Sequence, residues 1–513
     1  MQTPVKIGID DMAAYIPQLY LPISSLADAR GLEYPKLNKG LGLEAMSVAD
    51  AHEDVATMAA NAVLALIRRN GLLPSQIGRI YMGTESALDG AKPMATYVLD
   101  MLTQYFAEEH GPDCLLHCDA VDLTFACIGS VDALQNTLDW ASADPSRIGI
   151  VVGSDVARYE LGSGGEYTQG AGAVAMLVRH NPRLLSFHET WGVATRPAHD
   201  FFKPVRAYSK TEIVAEVLRL AGLPESDADR VLSKLEHSAE GGLLSHWDEA
   251  VQVHRDTPVF DGPYSNDCYQ QRITEALADY CAKSGQAAQE PVIDDWHRLV
   301  FHLPYAYQAR RMFSEVFVSE SQKRGDWERT VAEVGADMPQ AADFESGEAY
   351  QKARSGYLRS VTKTARYRNF VAEKIEKGER ASSLVGNLYT SSVFLALMST
   401  LEADLQEGNK LSGEAFGFFA YGSGSKSKVF TATVETGWEE VARRFKLSER
   451  LQGRTLISSE QYERLHRGQQ QESVAPPQGS FFLKNVIREK GVREGLREYA
   501  WQKRVAEPAT AVR

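Results

Sequence analysis

The apolar positions of this chain fall into short runs that end in small residues, and the runs come in matching sets. Val121-Asp122-Leu123-Thr124-Phe125-Ala126 reads as a strand. After Cys127-Ile128-Gly129-Ser130, the stretch Val131 to Trp140 is amphipathic at helical spacing. Arg147 to Asp155 is a short apolar strand closing in a small-residue turn, and Gly170 to Val178 returns as a second strand. The scheme recurs in Phe416 to Gly424 followed by Lys428 to Val434. Each strand pair is preceded by a helix that opens just after a candidate site, Cys127 in the first set and Asn387-Leu388-Tyr389-Thr390 in the second. The recurrence predicts two similar α/β halves meeting at a shared cleft.

Between the halves, Lys210 to Leu220 and Glu225 to His237 have helical periodicity and predict an inserted helical hairpin. A charged helical stretch runs from about Glu345 to Lys377. Gly468 to Gly479, with Gln469-Gln470-Gln471 and Pro476-Pro477, is the best candidate for a flexible linker, and Ser480 to Ile487 with Arg497 to Trp501 predicts a terminal hairpin around Glu489-Lys490-Gly491. The expected boundaries are 1–205 for the first half, 206–260 for the insertion, 261–445 for the second half and 446–513 for an extension.

At 513 residues the chain can bury a full core without staples. Five irregularly spaced cysteines and a Met1-Gln2-Thr3-Pro4 start without a basic and then apolar segment predict a reducing, cytoplasmic setting. No apolar run approaches the ~18 residues of a membrane helix, so a soluble protein with no membrane partner is expected. The net charge of −13 argues against a nucleic-acid surface. Cys114-Leu115-Leu116-His117-Cys118 lacks a second metal half-site and reads as two strand-buried thiols, with no metal expected. The glycine clusters at Gly162 to Gly165 and Gly422 to Gly424 match neither nucleotide-binding fingerprint.

Three positions carry the signs of chemistry. Cys127 stands where a strand passes into a helix, so the helix dipole and free N–H groups favour its thiolate. Glu85 follows the apolar strand Tyr81-Met82-Gly83 in a turn of small residues, a place from which a carboxylate can act as a base. Arg298-Leu299-Val300-Phe301 delivers His302 to a strand end, and Pro304 stops the strand. Taken singly, these are a core cysteine, a helix-cap acid and a satisfied core histidine. Together on strand ends of one duplicated chain, they supply what carbon–carbon bond formation from thioesters needs: an acyl carrier, an enolising base and a carbonyl-polarising group.

Five motifs in the same order resemble the hydroxymethylglutaryl-CoA (HMG-CoA) synthase family of the thiolase superfamily. They are Gly83-Thr84-Glu85-Ser86 with Asp89 and Lys92; Ala126-Cys127 with Gly129; Phe301-His302 with Pro304; Gly386-Asn387-Leu388-Tyr389-Thr390-Ser391-Ser392; and Tyr421-Gly422-Ser423-Gly424. The resemblance extends to Asp200-Phe201-Phe202-Lys203-Pro204, Asp261-Gly262 with Ser265, and Cys268-Tyr269. It implies a thiolase-like α/β fold, two βαβαβαββ halves in five layers with helical insertions.

The same resemblance implies an acyltransferase of the mevalonate route to isoprenoids that joins acetyl-CoA to acetoacetyl-CoA, with no cofactor beyond these CoA thioester substrates, working as a homodimer. Cys127 would take the acetyl group, Glu85 would remove a methyl proton, and His302 would hold the acceptor oxygen. The implied substrate-binding set is Asp155, Tyr159, Thr168, Asp200, Asn387, Tyr389, Ser423 and Arg311. In it Asn387 and Ser423 line the acetoacetyl site, while Asp155, Tyr159, Thr168 and Asp200 support the cleft. Two positions depart from the family pattern: Ile128 stands where a tyrosine is usual, and Tyr307 where relatives often carry a lysine, leaving Arg310 and Arg311 to meet the CoA phosphates. A polyketide β-branching relative that takes its acceptor on a carrier protein is the alternative reading.

Overall fold

The computed structural model describes residues 6–236, 250–253, 256–286, 289–489 and 491–504. Residues 1–4, His237 and Lys490, which figure in the expectations above, lie outside the described residues. The chain divides into two compact units, one formed by Met1–Asp200 with Gly262–Arg513 and the other by Phe201–Asp261.

The large unit is built on a nine-stranded mixed sheet. Its strands are β1 (Ile7–Tyr15), β2 (Ile77–Gly83), β3 (Asp119–Leu123), β4 (Ile148–Ala157), β5 (Gly170–His180), β6 (Leu185–Thr195), β7 (Arg298–Phe301), β8 (Ala415–Gly422) and β9 (Lys426–Val434). Their order is β7-β8-β9-β6-β1-β5-β4-β2-β3. Read outward from the antiparallel β1–β6 junction, the first half runs β1-β5-β4-β2-β3 and the second runs β6-β9-β8-β7. Within each half the order and directions match: β2 and β4 are parallel, as are β7 and β8, and a hairpin partner returns antiparallel in both. The expected duplication is therefore present, with one difference. Among the described residues the second half has no counterpart of β3; helices Gly347–Val361, Ala365–Lys374 and Glu376–Val385 occupy that stretch of sequence. The charged run from Glu345 to Lys377 is thus broken by the Thr364 cap, whose hydroxyl accepts from the Tyr367 amide.

Strand alternation sorts the core into layers. Ile150 and Val152 of β4, with Ala171, Ala173, Ala175 and Leu177 of β5, join the cluster formed with α1 (Val55–Arg69) and α2 (Met94–His110). Val151, Val174, Met176 and Val178 face the other way, toward α3 (Gly129–Ser142) and the second half, where α4 (Gly262–Ser284) and α5 (Ser392–Gln406) complete a second core. One layer of helices is therefore shared between the two sheet halves.

In the smaller unit, Arg206–Ser209 pairs with Ala250–Val253, and helices Lys210–Leu220 and Ala228–Glu236 bury Val214, Leu218 and Ala228. The expected helix from Glu225 starts with a short 3-10 turn, Glu225–Asp227. The terminal hairpin forms from β10 (Ser480–Val486) and β11 (Arg497–Gln502). The expected flexible linker is tied down in this structure: Asp50 accepts from the Val474 and Ala475 amides, and Ser473 bonds to His52. Nothing in the local composition of 468–479 announces an acceptor more than 400 residues away. Cys114 lies in the turn between α2 and β3 rather than in a strand, and no metal-holding cluster occurs among the described residues.

Candidate active site

Cys127 leaves the C-terminal end of β3 by a sharp turn. Ala126 adopts φ +39°, a left-handed conformation that costs a non-glycine residue energy, and the strand ends at Leu123 rather than running to Ala126. The turn then enters α3, whose first residues press against the end of β2. A Cβ on Gly83 would come within 2.1 Å of the Ser130 nitrogen, and one on Gly129 within 2.5 Å of the Leu123 carbonyl. This close approach puts Glu85, two residues after β2's glycine, beside the thiol: Cys127 Sγ is 4.0 Å from Glu85 Oε2. Cys127 is 8% exposed.

Asp155, at the end of β4, fixes the Glu85 loop. One carboxylate oxygen accepts from the Thr84 hydroxyl, the Glu85 amide and the Ser86 hydroxyl; the other accepts from the Thr390 amide and hydroxyl. It is fully buried, and burial raises its pKa despite these donors. Both oxygens are committed within the protein, and Asp155 clamps the first-half loop to the second-half one. Thr84, Ser86 and Thr390 belong to motifs legible in the sequence, yet their convergence on one carboxylate has no signal in spacing.

Asp200 is likewise 0% exposed. Its oxygens accept from the Tyr421 hydroxyl, the Ser265 hydroxyl and the Gly424 amide, so it pins the turn that carries Ser423. Ser423 is half-buried and bonds to the Tyr421 hydroxyl.

His302 follows β7 directly. Its amide donates to the Phe419 carbonyl, continuing the parallel ladder, and its carbonyl accepts from the Tyr269 hydroxyl. The ring is 1% exposed, and Nδ1 has no hydrogen-bond partner. Burial pushes the imidazole down to about 3, so it is uncharged at neutral pH. Both sheet halves frame it. The next residue, Leu303, donates its amide to Ser392 at the start of α5, while neighbouring β8 ends at Gly422, where a Cβ would meet the Phe125 carbonyl at 2.6 Å.

Around the thiol, the Tyr159 hydroxyl bonds to Thr168 and Tyr389 and interacts with Cys127 and Glu85. Burial first, then the negative charge of Cys127 and Glu85, holds the Tyr159 phenol well above its usual range. Tyr389 is raised by burial and by Tyr159, Glu85 and Cys127. Both phenols therefore keep their protons at neutral pH. Asn387 is buried in the second-half loop; its side-chain oxygen accepts from the Tyr389 amide and its own amide donates to the Thr168 carbonyl. Farther out, Arg310 is paired with Glu379 and stacked on Tyr307, which removes it from the expected pair of phosphate ligands. Arg311 is exposed and reaches the Tyr305 hydroxyl at 3.2 Å. Ile128 is wholly buried in the central core.

Two family models match the chain: the hydroxymethylglutaryl-coenzyme A synthase N-terminal region over residues 3–182 and its C-terminal region over residues 251–480. A hydroxymethylglutaryl-CoA synthase of Haloferax volcanii is 30% identical over 464 residues, covering 90% of this chain and 91% of the relative. One from Enterococcus faecalis is 26% identical over 462 residues, with 90% and 91% covered. Among solved structures, MvaS in complex with 3-hydroxy-3-methylglutaryl coenzyme A superposes with a TM-score of 0.72 at 26% identity, covering 97% of this chain and all of that one. The curacin-pathway HMG synthase in complex with its apo donor acyl carrier protein shares the fold at a TM-score of 0.66 and 19% identity, with 97% and 100% covered. The fold is the thiolase-like one, and on these matches the chain belongs to the hydroxymethylglutaryl-CoA synthase family.

Proposed function

We propose that this enzyme condenses acetyl-CoA with acetoacetyl-CoA and water to give 3-hydroxy-3-methylglutaryl-CoA and CoA, through an acetyl group carried on Cys127. The observation that carries this reading is the thiol of Cys127 set 4.0 Å from the Glu85 carboxylate at the mouth of α3. Cys127 attacks the acetyl thioester, and CoA leaves as the thiol with the proton the cysteine gives up. Glu85 takes a proton from the acetyl methyl, and the resulting carbanion equivalent attacks the ketone carbon of acetoacetyl-CoA. His302, kept neutral by burial, donates a hydrogen bond to the oxygen as negative charge develops there; that oxygen gains in net terms the proton Glu85 removed. Water then cleaves the enzyme thioester, which restores the thiol and makes the sequence effectively irreversible.

Tyr159, Thr168, Tyr389, Asn387 and Ser423 surround the acyl groups in this reading, and Arg311 meets the CoA phosphates. The mevalonate route and a cytoplasmic location are proposed with it, supported by the MvaS relationship and by five free cysteines. No helix among the described residues is long and apolar enough to cross a membrane. A homodimer is proposed from β3, which ends the sheet with an unpaired edge and leaves Val121 37% exposed. Light scattering that returned a single chain mass at micromolar concentration would overturn the dimer.

The test of the activity is direct. Purified protein with acetyl-CoA and acetoacetyl-CoA should release free CoA and form HMG-CoA. Formation only when the acetoacetyl group rides on a carrier protein would favour the polyketide reading.

A further inference from the structure

A cavity of about 680 Å³ lies on the side of the large unit where Leu64, Ala65 and Arg68 form one stripe of α1. The anchored 475–480 strap, Trp501 of the terminal hairpin and the 449–454 segment form its other walls. It shares no lining residue with the Cys127 site. Its size falls in the range of small-molecule pockets, roughly 300–1,000 Å³.

The charge of its lining is the reverse of the protein's. Arg68, Arg450, Arg454 and Arg504 face two carboxylates, Glu53 and Glu449, in a chain whose net charge is −13. Both carboxylates are occupied. Glu53 accepts from the Tyr15 hydroxyl and the Asp50 amide, and Glu449 pairs with Lys446 at 3.2 Å. The arginines make no ion pair among the described residues. Arg450 donates to the Ala14 carbonyl; Arg454 donates to the Leu451 and Leu384 carbonyls and the Ser47 hydroxyl and lies over the Tyr20 ring. Every one of those partners is neutral. Arg68, Arg450 and Arg504 are exposed and Arg454 is half-buried; withdrawing the Arg454 guanidinium from water without a counter-charge is costly, and a bound anion offsets that cost. Burial lowers Arg454 to about 10, with no carboxylate acting on it.

From these features we propose that the cavity is a second ligand site, for a small molecule carrying a phosphate group and an apolar portion. The guanidinium forks match phosphate oxygens in pairs, and Leu64, Pro476, Pro477 and Trp501 supply the apolar wall. The site is independent of the condensation chemistry proposed above.

Calorimetric titration of the full chain with phenyl phosphate tests this. Saturable binding is expected, unaffected by saturating CoA and weakened about tenfold or more by Arg68→Glu or Arg450→Gln, the scale of one lost charge-assisted contact. Arg68 is exposed, so its variant should keep the fold, with far-ultraviolet dichroism and acetyl labelling of Cys127 as the check. Absence of saturable binding up to about 10 mM would overturn the proposal, since a built site should do better than a millimolar encounter. So would displacement by CoA, or an affinity that Arg68→Glu leaves unchanged in the folded protein.

Discussion

Each half of the sheet reaches its central helix through a strained turn, entered from strand β3 in the first half and from helix Glu376–Val385 in the second, and the two turns are filled differently. In the first half Ala126 stands at φ +39° and α3 follows; in the second Tyr389 stands at φ +43° and α5 follows. The first turn carries a thiol against a carboxylate. The second is closed by hydrogen bonds: Asn387 to Tyr389, Thr390 to Asp155, and Ser392 to both backbone groups of Leu303. One junction thus holds the groups proposed to react, and the other holds residues bonded to the Glu85 loop through Asp155 and to Leu303 beside His302.

The largest effect should come from the reacting junction itself. Cys127→Ala is expected to abolish acetyl labelling of its peptide and to cut turnover by about 10⁴-fold or more, as removal of other nucleophiles does. Label persisting elsewhere would move the nucleophile out of the first junction. Glu85→Gln should still acetylate, while condensation falls by roughly 10²–10⁴-fold in single-turnover assays. Loss of both steps together would make Glu85 part of the scaffold.

His302→Ala is expected to slow condensation on the order of 10²-fold with acetylation much less affected, since its hydrogen bond matters most when the acceptor oxygen charges. An enzyme that acetylates poorly but condenses normally would make His302 the partner of the thiol instead. Burial of this ring also has a pH signature. Its folded pKa of about 3 lies below the unfolded ~6.5, so the unfolded state binds a proton first. Its contribution to stability is therefore neutral above pH ~6.5 and increasingly unfavourable as pH falls from there toward about 3. Urea melts of wild type and His302→Gln at pH 7 and pH 5 should show the wild type losing more between the two.

The smallest effect tests the scaffold. Thr390→Val removes a hydroxyl donor from Asp155 and should cost about 1–3 kcal/mol by denaturant titration. Condensation should slow several-fold and acetylation stay near normal. Unchanged stability would mean that the Asp155 clamp does not join the two junctions.

The repeat of apolar runs determined the α/β class, the duplication and the residues at strand ends, because strand and helix periodicity and glycine turns are local properties. Cys127, Glu85 and His302 were legible for the same reason: each ends a run. Three things were decided only by tertiary structure. Asp155 and Asp200 became buried clamps because each accepts from a donor more than 200 residues away in the chain. The 468–479 stretch, polar and proline-rich, became an anchored strap because Asp50 accepts its amides. Among the described residues the second half has no counterpart of β3, which no local pattern announces, since whether a segment joins a sheet depends on the edge it meets. Residue order sets what each segment can form; which polar groups end up buried together depends on contacts that sequence spacing does not encode.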